Sequence, residues 1–281
     1  MARRILLVLI ISSLLLVSYL LVIQPALAPL VELPRLSSTP LLLTFTLALW
    51  LFSLCHASYT LGWRQAAIFF ALSAIISWLY EQIGVETGII YGPYHYTDTL
   101  GIKLGHVPVL IPIAWFMMIY PSHVIANLIG TEEPRGSSRN LIQIIWLSAL
   151  GAMTMTAWDL VMDPGMSSPP VQAWIWRQGG PYFGVPLQNF IGWLLTTFTV
   201  YLAYRLIERR IGVQPLGSVT KVLDFLPLIA YFLVMSNYLR PGGSERSEAL
   251  RIVTLFAMGF PLLAATGRLF FRHSQTTNRS S

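Results

Sequence analysis

The chain has 281 residues, of which 55% are hydrophobic and only 11% charged, with a mean hydropathy of +0.63 and a formal net charge of +6. Soluble domains carry roughly 25% charged residues, so this composition excludes an ordinary soluble domain and describes a polytopic membrane protein. The positive charge belongs with membrane topology and anionic headgroups rather than with nucleic acid, because no soluble face interleaves basic residues with aromatics.

A helix crosses a hydrocarbon core about 30 Å thick with about 20 apolar residues. Eight such spans are expected, at approximately residues 5–23, 41–59, 65–83, 107–128, 141–162, 190–206, 222–239 and 250–271, the sixth being the shortest. They imply an all-α fold, one integral-membrane helical bundle over residues 1–281, with no linker long enough to divide it. The first span follows Arg3-Arg4 and precedes Ala26-Leu27-Ala28, so it reads as a retained helix, an uncleaved signal anchor, or as a cleavable signal peptide. Its apolar stretch exceeds the usual signal core, which favours the retained helix. Residues 130–139 read as a short polar turn and residues 274–281 as a disordered tail.

Lys and Arg bias the orientation. With the N-terminus inside, Arg3, Arg4, Arg64, Arg135, Arg209 and Arg210 are among a larger cytoplasmic set, against Arg35, Lys103, Arg177, Arg240, Arg246 and Arg251 on the other face. A multi-pass protein of the cell membrane with both termini in the cytoplasm is expected. Two long external loops, about 84–106 and 163–188, hold Pro, Gly, Tyr and Trp in quantity, a composition suited to ordered loops folded back on the bundle mouth. Cys55 is alone, and His56, His95, His106, His123 and His273 are scattered. No metal site is expected from them.

Both loops carry a recurring pattern. Tyr80-Glu81 leads through Gly92-Pro93-Tyr94 and Val107-Pro108 to Trp115, and Trp158-Asp159 leads through Gly180-Pro181-Tyr182 and Val185-Pro186 to Trp193. In both copies the acid precedes the closing Trp by the same interval, although the Gly-Pro-Tyr elements do not keep that register. The third and fourth spans and the fifth and sixth thereby form an internal repeat of helix pairs. Glu81 and Glu86 lie near the outer end of the third span, Asp159 and Asp163 near the outer end of the fifth, the last two on one helical face. Intramembrane carboxylates are costly and read first as functional. The bland alternatives are that Asp163 and Glu86 border loops and that Glu81 or Asp159 is ion-paired with Arg177 or Lys103.

From Tyr80 to Trp115, and again from Trp158 to Trp193, with Trp174-Ile175-Trp176 and Tyr182-Phe183-Gly184-Val185-Pro186 between, the chain resembles carotenoid-biosynthesis membrane proteins of the carotenoid 1,2-hydratase and bisanhydrobacterioruberin hydratase type. The resemblance covers about residues 40 to 270. It implies addition of water across the terminal 1,2 double bond of an acyclic carotenoid end, giving a tertiary alcohol. The implied partners are that carotenoid, water and the lipid bilayer, with association with other carotenoid-pathway enzymes also open.

Hydrating an isolated trisubstituted alkene needs a proton donor at C2 and leaves positive charge on C1, where water adds. No cofactor is required, and no Gly-rich nucleotide loop occurs. A carboxylic acid in an apolar site beside a second carboxylate suits the donor, so Glu81 and Asp159 are expected to face each other across a cavity. One would donate and the other stabilise the cation and orient water, with Asp163 and Glu86 as further candidates. Ring faces of Tyr94, Trp158, Trp174, Trp176 and Tyr182 could stabilise the cation by roughly 0.5 to 2 kcal/mol, or serve as interface anchors. Asn189 and His95 could hold water or hydroxyl.

Two other classes compete. Asp159-x-x-x-Asp163 has the spacing to hold magnesium for a diphosphate, as an isoprenoid transferase needs. Repeated spans with buried acids also suit a proton-coupled transporter.

Overall fold

The computed structural model describes residues 2–31, 38–135, 138, 140–211, 221–241 and 244–278. Each of the eight apolar segments is helical. The first is α1 (Ala2–Ser18), continued through a π turn at Tyr19–Ile23 into the short α2 (Gln24–Leu27). Then come α3 (Ser38–Thr60), α4 (Trp63–Thr87), α5 (Leu110–Thr131), α6 (Leu141–Met166) and α7 (Leu187–Ile211). The last two segments are α8 (Leu226–Tyr238) and the broken pair α9 (Glu245–Ala257) and α10 (Gly259–Asn278). By length and composition seven helical spans can cross a membrane, and Val222–Tyr238 is a shorter apolar helix.

The short segment is thus the seventh, not the sixth. Buried Arg205 and Glu208 interrupt the apolar run of α7, so the hydropathy window ends well before the 25-residue helix does. The break between α9 and α10 has a local cause in Pro261, which lacks the N–H that would bond four residues back. Helix α10 carries the backbone to Asn278, into the stretch read as a disordered tail, and residues 279–281 lie outside the described residues. Expected features at 136–137 and Arg139 of the polar turn also lie outside them.

Helix α5 is the centre of the bundle, with 78% of its apolar window buried. It packs on α3, α4, α6, α8 and α10, while α1 lies against α3 and α9 against α6. Pro121 sits inside α5 without breaking it. Proline frees the carbonyl four residues earlier, and the Ser53 hydroxyl of α3 donates to that Met117 carbonyl at 2.8 Å. Helix α6 starts at a polar cap, where the Asn140 side chain accepts from the Ile142 and Gln143 amides. On the outside, Val8, Leu15, Trp146, Met153, Phe256 and Leu263 are exposed, as expected of a surface solvated by lipid.

The internal repeat appears in the element boundaries. The starts of α4 and α6 stand 78 residues apart, and those of α5 and α7 stand 77 apart. Each of α4 and α6 packs against both α5 and α7. The matched tryptophans Trp115 and Trp193 stack with ring centroids 4.1 Å apart. Further along the same two helices His123 stacks on Tyr201 and Arg205 donates to Asn127 at 2.7 Å, so one seam runs down the middle of both copies.

Candidate active site

Between the helices of each copy the chain makes short strands: β1 (Tyr94–Tyr96), β2 (Lys103–Leu104), β3 (Val107–Pro108) and β4 (Trp174–Trp176). Strands β2 and β3 form a small antiparallel pair, and β1 joins β4 antiparallel with Tyr94 opposite Trp176, His95 opposite Ile175 and Tyr96 opposite Trp174. The two loops are therefore one structure lying across one end of the bundle. Bonds from the Arg177 amide to the Pro93 carbonyl and from the Thr97 amide to the Ala173 carbonyl extend the ladder at both ends.

Side chains alternate across a strand, and this puts Tyr94, Tyr96, Trp174 and Trp176 on the face toward the helices. The two tyrosines donate their hydroxyls to one oxygen of Glu81, Tyr96 at 2.8 Å, and the Trp115 indole N–H reaches the other at 3.3 Å. Trp174 and Trp176 each donate an indole N–H to Asp163 Oδ1 at 3.0 Å. Asn189 of α7 donates from one amide nitrogen to Asp163 Oδ2 and Asp159 Oδ2, both at 2.8 Å. Burial, and secondarily the nearby Glu81 charge, raise the phenols of Tyr94 and Tyr96 well above their ordinary range, so both remain hydroxyl donors.

Glu81, Asp159 and Asp163 are 5%, 0% and 1% exposed. Among the described residues no ion pair reaches any of them; Lys103 pairs with Asp98 at 3.0 Å instead. Neutral O–H and N–H groups hold these carboxyls. An unpartnered charge in such a place is expensive, and charge-assisted bonds from several donors offset that cost.

A cavity of about 90 Å³ opens beneath the ladder. Glu81 and Asp163 border it from opposite copies of the repeat, together with Asn189 and the rings of Trp115, Trp158 and Trp193. Tyr91 also borders it. Its ring is wedged between Gly84 and Gly192, where a Cβ would come within 2.6 and 2.5 Å of the ring, and its hydroxyl meets Thr196 at 2.7 Å. Several helices thus fix the shape of the wall.

The expected set divides on this geometry. Glu81, Asp163, Tyr94, Trp158, Trp174, Trp176 and Asn189 border the cavity. Asp159 does not: it lies one helical turn before Asp163, tied to it through Asn189, and its Oδ1 accepts no hydrogen bond. His95 is exposed because strand alternation turns it away from the tyrosines on either side. Glu86 is exposed because five residues carry it to another face of α4, where Gln82 donates to it at 2.6 Å and His106 lies 3.9 Å away. Tyr182 lies against Phe183 and Phe190 and spends its hydroxyl on the Leu160 carbonyl at 2.9 Å. The Asn189 amide N–H groups also lie between the Asp159 and Asp163 carboxyls, putting a donor where a magnesium ion would need acceptors.

Residues 38–244 match the family described as carotenoid biosynthesis protein. The chain belongs to this family. A bisanhydrobacterioruberin hydratase of Haloarcula japonica is 29% identical over 152 residues, which are 54% of this chain and 48% of that protein, so the chain spans about half the length of that relative. No solved structure matches. The family-matched segment contains every acid and every ladder strand of the site.

Tyr96 and Trp115 are among the site residues that escape a reading of the sequence. Tyr96 donates to the same Glu81 oxygen as Tyr94, and the Tyr94-His95-Tyr96 alternation was the signal for it. Trp115 was visible only as the end of a repeat, whereas it donates to Glu81 and stacks on its counterpart.

Proposed function

We propose that this member of the carotenoid biosynthesis family is a hydratase, adding water across the terminal 1,2 double bond of an acyclic carotenoid end without a cofactor. One observation carries the reading: Glu81 and Asp163 border one aromatic-walled cavity, and neutral donors rather than counter-cations hold both. The relative named as a hydratase supports it.

Asp163 is the proposed acid. Two carboxyls that share one amide donor in a buried site carry a single negative charge between them at least cost, so Asp159 and Asp163 hold one proton together. Transfer of that proton from Asp163 to C2 uses the π electrons of the double bond and leaves a tertiary cation at C1. Glu81 in its ionised form, accepting from two hydroxyls and an indole N–H, faces that cation and orients a water molecule. Its oxygen forms the bond to C1, the surplus proton passes to Glu81, and return of a proton to the aspartate pair completes the cycle. The net change is one water added, with no oxidation or reduction. The faces of Trp115, Trp158 and Trp193 lower the energy of the cation further.

A substrate dissolved among acyl chains and a water molecule must meet at one point, and a cavity under the loops at one end of the bundle provides it. With both termini in the cytoplasm, that end faces outward. Expression in a host that accumulates lycopene or gamma-carotene tests the reading. A pigment heavier by one water is expected, and unchanged pigment from several acyclic substrates, with the protein present in the membrane, would overturn it.

A further inference from the structure

A second cavity, about 330 Å³ in volume, lies against the first. Leu42, Phe45, Met162, Met166 and Tyr238 border both, so a shared set of side chains, two of them flexible methionines, is what divides the two spaces. Their chemistry differs. The first ends at two acids, whereas among the described residues no charged side chain borders the second, whose remaining wall includes Leu21, Val171 and Val234 with Thr39, Thr99 and Asn237 among its polar groups.

We propose that this second cavity holds the hydrocarbon chain of the acyclic substrate directly behind the end group presented to Glu81 and Asp163. The proposal rests on the hydration reading and names where the substrate lies. Two adjoining spaces, the first ending at acids and the second lined by uncharged groups among the described residues, match a ligand with one reactive terminus and a long apolar body once the dividing methionines turn aside. It does not match a compact polar substrate.

Two local irregularities lie on its wall. Leu21 reaches it from the π turn at Tyr19–Ile23, a departure from regular helix of the kind found at functional sites. This part of α1 precedes the family-matched residues 38–244, so the first span helps shape the chain site although the acids belong to the rest of the bundle. Gly165, in the last turn of α6, also borders the cavity, and a Cβ built there meets nothing within 4 Å. Glycine within a helix is less favourable than alanine by about 1 kcal/mol. Here it leaves the wall of the second cavity open.

The test is Gly165→Trp, which introduces a large ring at a position with room for it, in a helix that any residue but proline continues better than glycine. Wild-type and variant full-length proteins are purified from cells accumulating lycopene, and retained pigment is read per protein from its visible absorption. Conversion is then measured in membranes for lycopene and for a ten-carbon acyclic terpene with the same end group. The expected result is about a tenfold or greater loss of both lycopene retention and lycopene conversion, with the short terpene converted as by wild type.

Equal loss for both chain lengths, or lycopene retained and converted as by wild type, would overturn the proposal. So would a wild-type protein that retains no lycopene. If wild type converts neither compound yet retains lycopene, and Gly165→Trp loses it, the chain site stands and the hydration reading falls.

Discussion

Buried polar groups collect at two ends of the same helices, and the two collections are built differently. At the end covered by the β1–β4 ladder, Glu81 and Asp163 border a cavity, and their donors come from strands and from a neighbouring helix. At the other end Arg205, only 2% exposed, donates to Asn127, which itself reaches His123 and the Pro134 carbonyl. His56 is equally enclosed: Nε2 donates to the Leu223 carbonyl at 2.9 Å, which leaves Nδ1 to accept from Tyr120 at 2.7 Å. The first collection presents acids to a space that a substrate end can enter. The second joins helices to one another. Burial of a charge therefore does not by itself single out a candidate reactive centre; the cavity beside Glu81 and Asp163 is what distinguishes the first collection from the second.

Substitutions should separate the two ends. Glu81→Gln and Asp163→Asn keep shape and remove acid–base chemistry, so conversion should fall by about 10²- to 10⁴-fold. Membrane-inserted protein should stay at the wild-type level. Tyr96→Phe removes one of two hydroxyls on Glu81, and a bond to a charged group is worth about 1.5–3 kcal/mol. A loss of about 10- to 100-fold in rate is expected from it, measured as product per inserted protein. Asp159→Asn removes the neighbour with which Asp163 shares its proton, so a loss of about 10- to 100-fold is expected, smaller than that of Asp163→Asn; wild-type conversion would show that Asp163 keeps its proton without that partner.

Arg205→Met should have the smallest effect on chemistry. Leaving the Asn127 carbonyl without its donor costs about 1–3 kcal/mol of stability, seen as a lower unfolding temperature in detergent. Product per folded protein should not change. A selective loss of turnover with unaltered stability would break the division between the ends.

Much of this arrangement was legible in the chain. The eight apolar segments, the repeat of helix pairs and the placing of acids near two helix ends follow from hydropathy and from matched Trp115 and Trp193. The partner of Glu81 did not follow. The repeat aligns Glu81 with Asp159, yet the acid at the cavity is Asp163, because the contact depends on where the ladder crosses the helix ends. Pairing β1 with β4 fixes that crossing, and the pairing of two three-residue strands from distant loops has no signature in either sequence. The same ladder decides that Tyr96 points inward and His95 outward. Arg205 and Glu208 misled in the opposite sense, since charges within α7 shortened its apolar window although Asn127 holds the arginine inside the bundle.

The central claim is that water, activated in the Glu81–Asp163 cavity, supplies the oxygen of the product. Membranes containing wild type or Asp163→Asn, incubated with lycopene in oxygen-18 water, test it most directly by mass spectrometry of the pigment. The account predicts a hydroxylated product carrying the heavy oxygen from wild type and essentially none from Asp163→Asn. A product whose oxygen comes from dissolved dioxygen, or equal labelled product from both proteins, would contradict it.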